Sequence, residues 1–132
     1  MSDASSTRRT PAQKAVLAAL QQHRQPLSAQ VLHSEMRSEH SIGLATVYRS
    51  LDALQKSGLI QHRITLEGTT LYSLVQHDRH CMTCLHCNQS FPINTCPVAD
   101  LEAQLQHSNK FKIYYHTLEF FGLCESCSAQ SE

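Results

Sequence analysis

The spacing of apolar positions divides the chain into a helical front and a mixed rear. Thr10-Pro11-Ala12-Gln13 reads as a helix start: Thr10 can cap, Pro11 suits the first helical position and Gln13 completes a capping box. Ala12, Ala15, Val16, Ala19 and Leu20 follow as the single stripe of an amphipathic helix, expected to end near Gln22, ahead of the breaker Pro26. Ser28 opens a second helix expected to reach Ser38, with Leu27 and Leu32 placed to bracket the cap. A third helix is predicted from about Leu44 to Ser57, stopped by Gly58. Leu44, Val47, Leu51 and Leu54 form its buried stripe. At about 100° per residue Thr46, Arg49 and Lys56 fall on the opposite side, with Tyr48 on the flank.

After Gly58 the period shortens. Leu59 to Thr65 and Thr70 to Leu74, around a turn at Glu67-Gly68, read as a hairpin. Three helices followed by a two-stranded hairpin make a winged helix. An Arg and a Tyr near the start of its third helix suit a major groove: Arg49 can reach a guanine edge or a phosphate, and Tyr48 can pack on a thymine methyl. Further on, Ser90–Ile93 reads as a strand. Val98, Leu101 and Leu105 after Pro97 read as a helical stripe, and Lys110 to Phe120, rich in aromatic and β-branched residues, as more strand. The expected fold class is α+β: an N-terminal winged helix over 1–75, then a small α/β zinc-containing domain over 76–132.

Net charge is zero, but its distribution is uneven. Residues 1–63 carry eight Lys and Arg against four acidic residues, whereas 64–132 carry three against seven. A basic front half is compatible with nucleic acid, which the net value alone would disfavour. The opening MSDASSTRRTP is polar, without the apolar core of a signal peptide, and no apolar run approaches a membrane span. The expectation is a cytoplasmic protein in a reducing compartment, where six cysteines point to metal or redox chemistry rather than disulfides.

Cys84-x-x-Cys87 and Cys124-x-x-Cys127 are two CxxC pairs, each able to put two thiolates on one tetrahedral zinc. The gap between them exceeds that of a compact zinc ribbon and leaves room for strand, helix and strand. The second pair then closes a clip back onto the rear module's first strand. Cys81 complicates the motif, because Cys81-x-x-Cys84 is also a CxxC. His77-Asp78-Arg79-His80-Cys81 packs four possible ligands into five residues, and His62 on the wing, Cys96 and His116 are further candidates. A second ion on this segment, between wing and rear module, could fix the angle between the halves. Four thiolates close a zinc site to catalysis and no HExxH is present, so an enzyme is not expected.

Together these motifs resemble the ferric uptake regulator family, from about Arg8 to Cys127. The phrase Gly43-Leu44-Ala45-Thr46-Val47-Tyr48-Arg49, with Leu51 following, is close to that family's recognition-helix signature. Arg9-Thr10-Pro11-Ala12-Gln13 is similar to its first helix. His80 ahead of the first CxxC and His116-Thr117-Leu118-Glu119 ahead of the second are similar to its dimerisation module. The resemblance implies a homodimer that binds palindromic double-stranded operator DNA when loaded with metal, mainly as a repressor, with no membrane or small-molecule substrate. It implies DNA contacts from Tyr48, Arg49 and Thr46 and from Arg8 or Arg9. It implies structural zinc on Cys84, Cys87, Cys124 and Cys127. It also implies a regulatory ion near the hinge, with His77, His80, Cys81, His116 and His62 as candidate ligands.

The chain departs from the iron-sensing pattern. Arg79 interrupts the His-rich run, Cys81 stands where a His is common, and Pro26 occupies a frequent hinge-histidine position. The helix carboxylate has no clean match, Asp100 and Glu102 being only nearby. Loss of hard ligands and gain of a thiol favour zinc and the zinc uptake regulator branch. The alternative is an iron- or manganese-dependent or peroxide-sensing regulator on the same fold, with Cys81 and Cys96 as redox thiols.

Overall fold

Pro11–Gln22 forms helix α1, and both halves of its capping box are made. Thr10 Oγ1 accepts from the Gln13 N–H at 3.1 Å, and Gln13 Oε1 accepts from the Thr10 N–H at 3.3 Å. Ser28 Oγ likewise caps α2, Ala29–Met36, by accepting from the Val31 N–H. This helix is shorter than expected, its C-cap being Arg37; Ser38 lies outside the described residues. The computed structural model describes residues 9–37, 39–75 and 80–130.

Helix α3 spans Leu44–Lys56. Its end is fixed by two backbone bonds, Gly58 N–H to the Gln55 carbonyl and Leu59 N–H to the Leu54 carbonyl. That pairing requires a left-handed residue after the cap, and Gly58 supplies φ 82°. Strands β1, Ile60–Ile64, and β2, Thr70–Leu74, pair antiparallel with Ile60 opposite Leu74. A short bridge between Leu27 and Tyr72, unforeseen in the sequence, ties this hairpin to the segment before α2.

The chain falls into two compact units, residues up to 78 and from 79 on. The first holds one apolar core: Val16, Leu20, Ala29, Leu32, Met36, Val47, Leu51, Leu54, Ile60 and Leu74. Val47, Leu51 and Leu54 are buried as their stripe predicts, but Leu44 is exposed. It sits in the first turn of α3, beyond the reach of the core. Leu51→Ala is expected to destabilise this unit by about 2–5 kcal/mol, because the side chain is fully enclosed and its removal leaves a cavity. Denaturant unfolding of the full chain, followed by helical circular dichroism, checks this.

The second unit is a three-stranded sheet of order β4-β3-β5, with β3 at His80–Cys84, β4 at Ser90–Ile93 and β5 at Glu119–Gly122. The central strand overlaps the ligand-rich run that the sequence offered only as a candidate site. Strand β4 is antiparallel to β3 and β5 is parallel to it. Helix α4, Ala99–Ser108, buries none of its residues, and a short α5, Glu125–Gln130, ends the described chain. The strand expected over Lys110 to Phe120 is corrected: strand structure begins only at Glu119, where β3 offers a neighbour to pair with. Residues 111–118 have the composition of a strand but are not assigned to one; of them Leu118 already meets β3, its carbonyl accepting from the Cys81 N–H at 3.3 Å.

Candidate metal centres and nucleic-acid face

The register of β5 against β3 assembles the four-cysteine cluster. Cys84 ends β3 opposite Gly122, and the Leu85 N–H bonds to the Gly122 carbonyl at 2.8 Å. Cys124 therefore emerges beside Cys84. A tight turn returns Cys87 to the same place: the Asn88 N–H closes onto the Cys84 carbonyl, with Asn88 itself left-handed at φ 64°. Helix α5 then carries Cys127 less than one turn beyond Cys124. The four sulfurs lie within 4.8 Å of one another, Cys87 and Cys124 at 4.0 Å. A tetrahedron with zinc–sulfur bonds near 2.3 Å has sulfur–sulfur edges of about 3.8 Å, so the set fits one such ion.

The thiols differ in acidity. Backbone N–H groups of Cys87 and Cys124 point at the Cys84 sulfur and lower its pKa to about 6. Burial, together with the neighbouring sulfurs of Cys124, Cys84 and Cys87, pushes Cys127 up to about 12. A cation at the centre would offset this crowding of sulfur, since thiolates rather than thiols bind metal.

A second cluster joins three distant segments. His80 on β3, Cys96 in the loop after β4 and His116 ahead of β5 converge. His80 Nε2 lies 3.2 Å from Cys96 Sγ and 3.0 Å from His116 Nε2, and Cys96 Sγ lies 3.3 Å from His116 Nε2. The two imidazoles are stacked. His116 turns its other nitrogen, Nδ1, to Glu102 on α4 at 2.9 Å. In the sequence Glu102 is only a carboxylate near a helix; the fold brings it to His116.

The remaining candidates lie elsewhere. Successive residues of a strand face opposite ways, so Cys81 cannot share a site with its neighbour His80. Its buried sulfur donates to Glu119 Oε2 at 3.6 Å, and Thr83 donates to the same carboxylate. Cys81 is therefore not brought to the His80 cluster. His62, on β1 in the first unit, accepts a hydrogen bond at Nδ1 from Gln55 of α3. His77 and Asp78 lie outside the described residues.

On α3, Tyr48 and Arg49 are exposed while Val47, Ser50 and Leu51 point inward. Arg49 Nη2 donates to Thr46 Oγ1 at 3.0 Å, which places the guanidinium along the first turns of the helix. Ahead of it, the His33 ring donates through Nε2 to the Ile42 carbonyl at 2.8 Å and anchors the approach to α3. Arg9 is half-buried before α1; Arg8 lies outside the described residues.

Residues 4–121 match the model of the ferric uptake regulator family. The chain belongs to that family. It is a metal-responsive transcription regulator, not an enzyme. Among curated relatives it is similar to the zinc uptake regulation protein of Mycobacterium tuberculosis, 34% identical over 92% of this chain and 93% of that protein. It is also similar to the ferric uptake regulation protein of Bacillus subtilis, at 30% over 96% and 89%. Among solved structures, the zinc uptake regulator FurB of M. tuberculosis aligns with TM-score 0.51 and 31% identity, over 95% of this chain and 98% of FurB. No helix among the described residues is long and apolar enough to cross a membrane.

Proposed function

We propose that the chain is a zinc-responsive repressor, cytoplasmic and homodimeric, that binds palindromic operator DNA when loaded with metal. The observation carrying this reading is that thiols contribute to both ligand clusters of the rear unit. Imidazole and thiolate together suit zinc better than iron(II) or manganese(II). The likeness to a zinc uptake regulation protein supports the same choice. Domains run over 1–75 for DNA binding and 76–132 for dimerisation and metal. Cys84, Cys87, Cys124 and Cys127 hold a structural zinc, closed to chemistry by four thiolates. A regulatory zinc sits in the cluster around His80 and His116.

Support for the dimer comes from apolar surface in the rear unit. Phe120 and Phe121 are adjacent on edge strand β5, so they face opposite ways, yet each is about half exposed, at 50% and 52%. Met82, Leu101 and Leu123 are exposed too. Apolar exposure on both faces of so small a sheet calls for a partner, and a second copy makes the symmetric one that a palindrome requires. In a dimer the two α3 helices present Tyr48, Arg49 and Thr46 to successive major grooves, with Arg9, and Arg8 beside it, near the backbone. Regulatory zinc acts by binding more tightly to the arrangement that matches both half-sites, and DNA in turn tightens zinc.

Selection from a pool of random-sequence duplexes, with the zinc-loaded full chain, tests the reading. The expected product is an inverted repeat bound by two protomers. Retention of duplexes without sequence preference contradicts it.

A further inference from the structure

The cluster at His80, Cys96 and His116 identifies more than the place of a second ion. Its three ligand atoms stand 3.0–3.3 Å apart. Bonds of about 2.0–2.3 Å to one tetrahedral ion require separations of roughly 3.3–3.6 Å, so a small outward adjustment admits the metal. Proton bookkeeping favours an ion too. The Glu102 carboxylate only accepts, so His116 carries its proton on Nδ1 and presents a bare Nε2 lone pair to the cluster. That is the tautomer a metal needs, held by an outer carboxylate. Hydrogen bonding within the cluster cannot satisfy all three contacts, because with His116 Nε2 bare only the Cys96 S–H and the His80 N–H can donate, two protons at most for three contacts.

We propose that Cys96 is a ligand of the regulatory ion and the residue that sets its metal preference, with Glu102 orienting His116 rather than binding the metal. The thiolate adds a soft sulfur, giving an inner set of two imidazoles and one sulfur that favours zinc over manganese(II) and iron(II). Cys81, though next in sequence to His80, takes no part, since it lies on the opposite face of β3 and is bonded to Glu119. The ligand comes instead from the loop leading into α4, a helix that buries none of its own residues, so the ion also anchors that loop to the sheet.

This deepens the regulatory reading above and rests on it for the word regulatory; the coordination itself is tested without DNA. The full chain is first loaded with one equivalent of zinc to fill the four-sulfur position, then titrated with cobalt(II) as a spectroscopic probe. The second equivalent is expected to show thiolate-to-cobalt charge-transfer absorption in the native chain and in Cys81→Ser. The band is lost in Cys96→Ser, which keeps the first zinc and the native helical signal. Competition with a chromophoric chelator is expected to show second-site zinc affinity lowered about 10–100-fold by Glu102→Gln and by more than that in Cys96→Ser. Cys96→Asp is expected to shift preference toward manganese(II). A second cobalt equivalent without a sulfur band, or unchanged zinc affinity in Cys96→Ser, overturns the proposal. Failure to bind DNA would count against the regulator reading and leave these readouts unmoved.

Discussion

Cys124→Ser is expected to release the structural zinc, dissociate the dimer and unfold the rear unit, leaving the front unit folded. The apolar core lies wholly in the first unit, from Val16 to Leu74. In the second, the buried side chains among the described residues are Cys81, Thr83 and Cys84, while Met82, Phe91, Phe120, Phe121 and Leu123 are exposed. So little buried surface cannot offset the entropy of ordering the chain. Structural zinc contributes on the order of 10–16 kcal/mol, more than the whole stability of many domains. Cys124 carries a large share of that closure, because the Leu85–Gly122 bond and the start of α5 place it against Cys84 and Cys87. Zinc content per protomer and sedimentation of the variant read the outcome. A variant that keeps full zinc would mean that Cys124 is not a required ligand, and one that stays dimeric without zinc would mean that apolar contacts alone hold the unit.

Arg49→Ala is expected to weaken operator binding roughly 10–100-fold, the worth of about 1–3 kcal/mol for one bidentate base contact. Its side chain is exposed and donates to Thr46 on the same face of α3, so the substitution leaves the core of that helix intact. Fluorescence anisotropy on the selected duplex and on single-base variants of it distinguishes two modes. A base contact relaxes preference at one position of each half-site, whereas a phosphate contact weakens all sequences alike and lowers the salt dependence. Unchanged affinity would move the recognition surface away from this face of α3. Tyr48→Ala provides the companion measurement, with its loss expected at a thymine-bearing position.

The front unit was legible because its signals are local. Thr10 and Gln13 spell a cap within one turn, Gly58 marks a left-handed stop, and the stripe Val47, Leu51, Leu54 needs no knowledge of the rest of the chain. Leu44 continues the stripe by spacing but lies one turn beyond the buried positions, and is exposed. The rear unit depends on pairing between distant residues. His80–Cys84 looked like a ligand cluster because histidines and cysteines hide a strand's alternation, and its partners lie on β4 and β5. Lys110 to Phe120 has strand composition, but composition does not provide a neighbour. The CxxC spacing offered two pairs for one tetrahedral ion but left Cys81 as a rival partner for Cys84; the turn that returns Cys87 to Cys84 decides between them. The second cluster was legible only as a list, because Cys96, His80 and His116 are separated by 16 and 20 residues and are joined by topology. Nothing in the sequence ranked Cys96 above Cys81; the face of β3 on which each lies does.

In the proposed mechanism zinc loading controls DNA binding. Its most direct test is the anisotropy of the selected duplex with full-length protein as buffered free zinc is raised, alongside parallel series in iron(II) and manganese(II). Binding is expected to rise steeply with zinc, to be complete when two ions per protomer are held, and to reverse when a chelator removes the more weakly held one. Binding that is indifferent to metal, or tight only with iron(II) at comparable free concentration, would contradict it.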